Sequence, residues 1–373
     1  MLTNNNETRT FRAPGRVNLI GEHTDYNDGF VMPAAIDLST WVEVSALERR
    51  KLKIFSENFD EEIEVDLDEQ NIARRGHWSD YPIGVAVMLE RSGRRLRGAK
   101  LRVRSEVPIG SGLSSSAAIE VATACALIAN SGLKIDRREL ALLCQKAENE
   151  FVGARVGIMD QFVSLFGHAQ KALMLDCRSL EFELLPLPGN VRLVICNTMV
   201  KHELASGAYN ERRAQCEAGV KHLAKFVANV TALRDVTLAQ LEQFGGDLPE
   251  VVYRRCRHVI TENARVLSAA RALEQGDLKE FGGLMAASHQ SLREDYEVSS
   301  EELDLMVELA QKVEGVYGAR MTGGGFGGCT VNLVAVEHVE EFSNRIAESY
   351  EQLTKLKPEI YVCSASNGAQ EVS

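Results

Sequence analysis

Several things are missing from this sequence, and each absence removes a class of function. No apolar run is long enough to cross a bilayer; the longest, Ala117 to Ala129, is broken by Glu120 and Thr123. The first residues, MLTNNNETRTFRAPGR, lack the apolar core of a signal peptide. The eight cysteines are dispersed, with no CxxC pair to suggest a zinc or redox site. Buried thiols in a reducing cytoplasm are the expectation. There is no excess of positive charge. Lysine and arginine number 42 against 53 acids, a net charge of −11, which argues against nucleic acid or an anionic membrane as partner. The densest basic runs, Arg94 to Arg97 and Arg254 to His258, read as helix faces or salt-bridge partners.

What remains is an ordinary globular composition, 45% apolar and 25% charged over 373 residues. That length suits about two to three domains. Period-two alternation predicts strands at Thr40 to Ala46, Lys51 to Ile54, Glu62 to Val65 and Leu101 to Val107. Helical spacing predicts helices at Ser116 to Asn130 and Arg137 to Phe151. In the second half, long helical patterns at 209–229, 252–274 and 300–313 lie between strand-like runs. The chain closes strand, helix, strand. Two prolines and a glycine near residues 180–189 suggest a boundary, giving domains 1–185 and 186–373. The fold class expected is α+β (mixed α/β).

Four segments carry the chemistry. Ala13 to Asp37 packs Arg16, Asn18, Glu22, His23, Asp25, Tyr26, Asn27 and Asp28 between apolar runs. Such a mix of donors and acceptors suits a polyhydroxylated ligand, or equally a turn held by its own side chains. Pro108 to Ala118, PIGSGLSSSAA, joins a predicted strand to a predicted helix. Gly110 and Gly112 allow close backbone approach, and Ser114, Ser115 and Ser116 open a helix N-terminus, an anion-binding arrangement. Without the GK[ST] lysine it is not a Walker A loop. Met321 to Thr330, MTGGGFGGCT, has too many glycines for a regular element yet directly precedes an apolar strand pattern. Gly157 to Gly167, GIMDQFVSLFG, places Asp160 in an apolar helical stretch. It faces solvent at a helix start, or it is a functional acid paired with Arg155 or the distant Arg16.

Taken together, GRVNLIGEHTDY, PIGSGLSSSAA, GIMDQ, LDCRSL, SGAYNERRAQCE, SHQSLREDYEVSSEELD and MTGGGFGGC resemble the galactokinase family of the GHMP kinase superfamily, along nearly the whole chain. The resemblance implies a two-domain GHMP kinase fold. Its N-terminal domain would be ribosomal-protein-like with a left-handed crossover, its C-terminal domain ferredoxin-like, and the site would lie between them. It implies phosphoryl transfer from ATP to galactose, with Mg²⁺ as cofactor. It matches Arg16 and Asp160 to the pair flanking the reacting hydroxyl. Glu22, His23, Asp25, Tyr209 and Gly324 match sugar contacts. Gly110, Gly112 and Ser114 to Ser116 match the phosphate loop, and Ser116 and Glu148 the positions near the metal. Ile158 and Met159 read as core. One departure is Arg155-Val156 ahead of GIMD, where the family often has Pro-Cys; a change in loop stiffness is expected. The partners expected are ATP and galactose as small molecules, with no nucleic acid and no membrane, for a monomer in the cytoplasm. Phosphorylation of another sugar, or galactose sensing without catalysis, are the competing readings.

Overall fold

The computed structural model describes residues 8–201 and 205–372. A six-stranded sheet forms the first layer. Its strand order is Gln370–Val372, Arg9–Asn18, Pro33–Leu47, Gly98–Ser105, Lys51–Ser56 and Glu61–Asp66. Pairing is antiparallel except between Lys51–Ser56 and Gly98–Ser105. Alternation explains these strands: in Lys51–Ser56 every second residue is buried. Helices Asp80–Arg91, Ser115–Ser131, Arg137–Lys146 and Met159–Phe166 bury their apolar faces with this sheet in one core. Ile158 and Met159 belong to that core.

A second sheet is wholly antiparallel, in the order Val316–Thr322, Gly327–Ala335, Val191–Lys201, Glu359–Cys363. In chain order this is 2-3-1-4, with helices joining the first strand to the second and the third to the fourth, the ferredoxin-like arrangement. A small sheet of Phe30–Val31, Lys171–Asp176 and Phe182–Pro186 lies beside the first. The strand Gln370–Val372 returns to pair with Arg9–Asn18, so the last residues cross a division of the chain at 185.

Most expected elements are present with shifted ends. The helix expected over 209–229 spans Ala205–Leu223, and the last turns near Phe226 are irregular. The helix expected over 137–151 differs in kind. Asp136 caps it by accepting from the amides of Arg138 and Glu139. From Ala147 to Val152 it widens into a π turn that carries Glu148. Gly153 ends that turn at φ 87°, and the amides of Gly153 and Ala154 both donate to the Glu148 carbonyl. All eight cysteines are free, six buried and two half-buried. Among the described residues no helix is long and apolar enough to cross a membrane. The basic run at Arg254 to His258 is an ion-paired face, with Arg254 and Arg255 on Glu297 and Arg257 on Asp295.

Candidate active site

Backbone geometry builds the site. The pairing of Arg9–Asn18 with Pro33–Leu47 slips between Pro14 and Arg16, a bulge at Gly15. Bulges re-aim side chains. A Cβ on Gly15 would lie 2.7 Å from the Leu113 carbonyl oxygen, so only glycine lets the strand touch the Gly–Ser loop there. The Arg16 amide donates to that same carbonyl at 3.0 Å. Across the loop, a Cβ on Gly323 would meet the Gly112 oxygen at 3.0 Å, and Gly323 has φ +84°. The two glycine-rich segments therefore touch main chain to main chain.

Arg16, 5% exposed, holds Asp160 with two parallel bonds. Nε donates to Oδ1 at 2.8 Å and Nη2 to Oδ2 at 2.7 Å. Nη1 donates to the Gly112 carbonyl at 2.5 Å, and Ser114 Oγ donates to Asp160 Oδ2 at 2.5 Å. Asp160 thus pairs with Arg16. Arg155 turns away to Glu217, at 3.2 Å. Ser114 itself is left-handed, at φ 61°, and precedes the helix Ser115–Ser131. Its conformation turns the chain so that Ser115 and Ser116 line the cleft at the helix's amide end.

Glu148 is buried beside this group. It accepts from Gln161 Nε2 at 2.7 Å and from the Ser116 hydroxyl. Burial first, then the Asp160 charge, push its carboxyl up to about 7. Gln161 also reaches Glu120, at 3.1 Å, a fully buried acid raised well above the usual range by burial and by Glu148. Sequence reading did not single out Glu120; its helical position beside apolar neighbours gave no sign of it. No group of three or more His, Cys, Asp or Glu among the described residues is placed to hold a metal by itself. Mg²⁺ commonly takes one or two protein oxygens and completes its shell with phosphate and water, and Glu148 with Ser116 fits that pattern.

The other end of the cleft is the polar loop after Asn18. Glu22 is buried and all its bonds are internal. Oε1 accepts from the Gly323 amide at 2.7 Å, and Oε2 accepts from Arg320 at 3.0 Å and from Asn18. Burial raises its pKa against the pull of Arg320. His23 has φ 63°, and burial, then His258 and Arg212, lower its pKa to about 3, so the ring is neutral. Asp25 is half-buried, and burial followed by the Asp160 charge raises it to about 7. The Tyr209 ring lies 5.5 Å from His23, and a Cβ added at Gly324 would meet that ring at 3.6 Å.

All thirteen residues proposed from sequence line one cleft of about 420 Å³. The cleft also has a wall that sequence reading missed: Phe59, Trp78, Tyr81, Ile109 and Ile119. Phe59 and Trp78 stack at 5.6 Å, and Ile109 is 51% exposed. These residues come from separate elements, so no local pattern marks them. The one available signal was Ile109, an apolar residue between the proline and glycine of a loop.

The galactokinase galactose-binding signature matches residues 3–46. The GHMP kinases N terminal domain matches 80–168 and the GHMP kinases C terminal domain 269–360. The chain is 47% identical over 361 residues to a galactokinase of Roseiflexus sp. (strain RS-1), covering 97% of this chain and 92% of that one. It is 46% identical to a galactokinase of Mannheimia succiniciproducens, covering 95% and 93%. Among solved structures, Lactococcus lactis galactokinase complexed with galactose superposes with a TM-score of 0.94 at 39% identity, covering 98% of this chain and 95% of that one. Methanococcus jannaschii mevalonate kinase shares the fold, with a TM-score of 0.67 at 20% identity, covering 97% and 100%.

Proposed function

The chain belongs to the galactokinase family of the GHMP kinases, ATP-dependent sugar kinases, and we propose that it moves the γ-phosphoryl group of ATP to the C1 hydroxyl of α-D-galactose. The products are galactose 1-phosphate and ADP. The observation that carries the assignment of roles is the Arg16–Asp160 pair. It stands where the sugar loop, the Gly–Ser loop and the helix Met159–Phe166 meet.

Phosphoryl transfer asks for positioning and charge stabilisation more than for covalent help. The purine lies along the apolar wall of Phe59, Trp78 and Ile109, which offers a flat aromatic surface. The phosphates then reach the amides of Ser114 to Ser116, at the positive end of the helix Ser115–Ser131. Glu148 and Ser116, which meet at the mouth of this loop, would hold Mg²⁺, and the ion would supply positive charge against the phosphate oxygens. The sugar occupies the end bounded by Glu22, His23, Asp25, Tyr209 and Gly324.

Arg16 sits between the two ends and offsets charge that builds on the transferring group. Asp160 Oδ2 already accepts two bonds, from Arg16 and Ser114, whereas Oδ1 accepts one. Oδ1 therefore keeps a lone pair for the sugar hydroxyl. In a loose transition state the hydroxyl proton leaves late, so Asp160 first orients the nucleophile. The protein acts as a monomer in the cytoplasm, where eight free thiols are stable.

The test is ADP release with Mg-ATP across galactose, N-acetylgalactosamine, glucose, arabinose and no sugar. Turnover with galactose supports the reading. Turnover with another sugar alone moves the substrate. Galactose binding without turnover makes the protein a sensor and overturns it.

A further inference from the structure

Two fully buried residues behind the cleft, Glu120 and Gln161, have no part in the mechanism above. Neither lines the cleft, whereas Glu148 does. Gln161 Nε2 donates to Glu148 Oε2 at 2.7 Å and to Glu120 Oε2 at 3.1 Å. An amide nitrogen carries two N–H groups, so both are used, one on each acid. The three residues come from three elements. Glu120 lies on the helix Ser115–Ser131, Glu148 on the π turn Ala147–Val152, and Gln161 on the helix Met159–Phe166, next to Asp160. Ser116 and Glu120 are four residues apart on one helix and so share a face. That face holds Glu148 twice, directly by the Ser116 hydroxyl and, through Gln161, by Glu120.

Packing alone does not explain Glu120. Its helix neighbours Ala117, Ala118, Val121 and Ala124 are buried apolar residues. Its Oε2 accepts from Gln161, and its Oε1 has no partner. A buried carboxyl with so few bonds costs stability, and an apolar residue there would cost less. What the acid supplies is an acceptor for the second N–H of Gln161. Gln161 Oε1 has no partner either, so among the described residues the two bonds of Nε2 alone orient the amide. Without Glu120 the amide is free to turn about its bond to Glu148.

Mg²⁺ demands near-ideal octahedral geometry, so a carboxylate that holds it must be kept from rotating. We propose that Gln161 and Glu120 are positioning residues that hold the Glu148 carboxylate in place for Mg²⁺, Gln161 as the bridge and Glu120 as its anchor. The proposal rests on the reading of Glu148 and Ser116 as the residues for the metal. Because Gln161 follows Asp160 directly, one helix turn sets both the acid that meets the sugar hydroxyl and the acid that meets the metal.

The experiment is calorimetric titration of a non-hydrolysable ATP analogue into the full chain, with Mg²⁺ and again with a chelator and no metal. The ratio of the two dissociation constants reads the share of binding that the metal supplies, and no turnover is needed. Losing a residue that orients a metal ligand weakens metal affinity about 10–100-fold, so in Glu120→Leu and in Gln161→Leu the ratio should fall about 10-fold or more. The double variant should fall no further than Gln161→Leu, because both act through one bridge. Glu120→Gln keeps an acceptor for Gln161 and should restore the parental ratio. In Glu120→Leu the affinities for galactose and for the metal-free analogue should hold, which a general loosening of the fold would not allow. A parental ratio in folded Glu120→Leu overturns the proposal, and so does an equal fall in Glu120→Gln. If Glu120→Leu does not fold, a parental ratio in Gln161→Leu overturns it. Glu148→Gln separates the two readings. A parental ratio there removes the metal assignment and the proposal with it. A fallen ratio there beside a parental one in Glu120→Leu removes the proposal alone.

Discussion

Arg320→Met isolates the buried ion pair that joins the sugar loop to the second sheet. Arg320 is fully buried and Glu22 is 2% exposed, and their atoms meet at 3.0 Å. At that distance, with an effective dielectric of about 20, the attraction is about 5.5 kcal/mol. Desolvating two ions offsets most of it, so the intact pair adds little net stability. Removing one partner is different: the Glu22 charge is left buried and unpaired, at a cost of about 3–5 kcal/mol. With an unfolding entropy of about 2.1 cal/mol/K per residue over 373 residues, 1 kcal/mol moves Tm by about 1.3 °C. The expected loss is therefore about 4–6 °C.

Glu22→Gln added to Arg320→Met should recover most of that loss, because the glutamine still accepts from the Gly323 amide without carrying a charge. The pH dependence follows the same logic. Burial already raises the folded pKa of Glu22 above its unfolded value. The folded state then holds a proton that the unfolded chain has released, so stability falls as pH rises from the unfolded value. Losing Arg320 steepens that slope, and the Arg320→Met deficit should be smaller at pH 5.5 than at pH 8. Calorimetry of the single and double variants at both pH values is the assay. Equal stability of the single and double variants, with no pH effect, would refute the reasoning.

Asp25→Asn should be more stable than the parent at pH 8 and equal to it near pH 4. The native carboxyl is raised to about 7, and the unfolded one ionises near 4, so its ionisation opposes folding increasingly across that interval; Tm against pH reads it. Asp160→Asn should bind galactose within a few-fold of the parent yet lose about 10²–10⁴-fold in kcat, measured by calorimetric titration and ADP release. Near-parental turnover would remove Asp160 from the reaction. Gly325→Ala should lower Tm, because its φ is +84° and the new Cβ would lie 2.2 Å from the Val298 oxygen. Gly324→Ala meets only the Tyr209 ring, at 3.6 Å, and should keep its stability while galactose KM rises. Trp78→Ala should raise KM for ATP and leave that for galactose unchanged, since it removes half of the Phe59–Trp78 stack.

What could be read in the sequence and what could not divide along a physical line. The glycine and serine clusters were legible because their chemistry is local: a turn needing positive φ, or a helix opening with free amides, is written in adjacent residues. The candidates in those clusters share one cleft with Tyr209 and Glu148, which only the family resemblance supplied. Pairings across the chain were not legible. Arg155 lies five residues from Asp160, yet the partner is Arg16, 144 residues away, because a bulge at Gly15 turns it inward. The strand Gln370–Val372 carries no mark of its partner, Arg9–Asn18. Element type fails where function bends the rule. Residues 137–151 have helical spacing throughout, yet the chain widens to a π turn at Ala147–Val152 and so delivers Glu148 to the cleft. The second π turn, at Leu292–Tyr296, likewise brings the buried Tyr296 hydroxyl to Tyr26 of the sugar loop and to Cys216. Each occurs where one helix must set a polar side chain among residues of another element. An apolar periodicity of 3.6 records which face is buried, not where an added residue shifts that face. Polar side chains buried at such shifts, like Glu148 and Tyr296, are therefore where a sequence reading of this fold should look next.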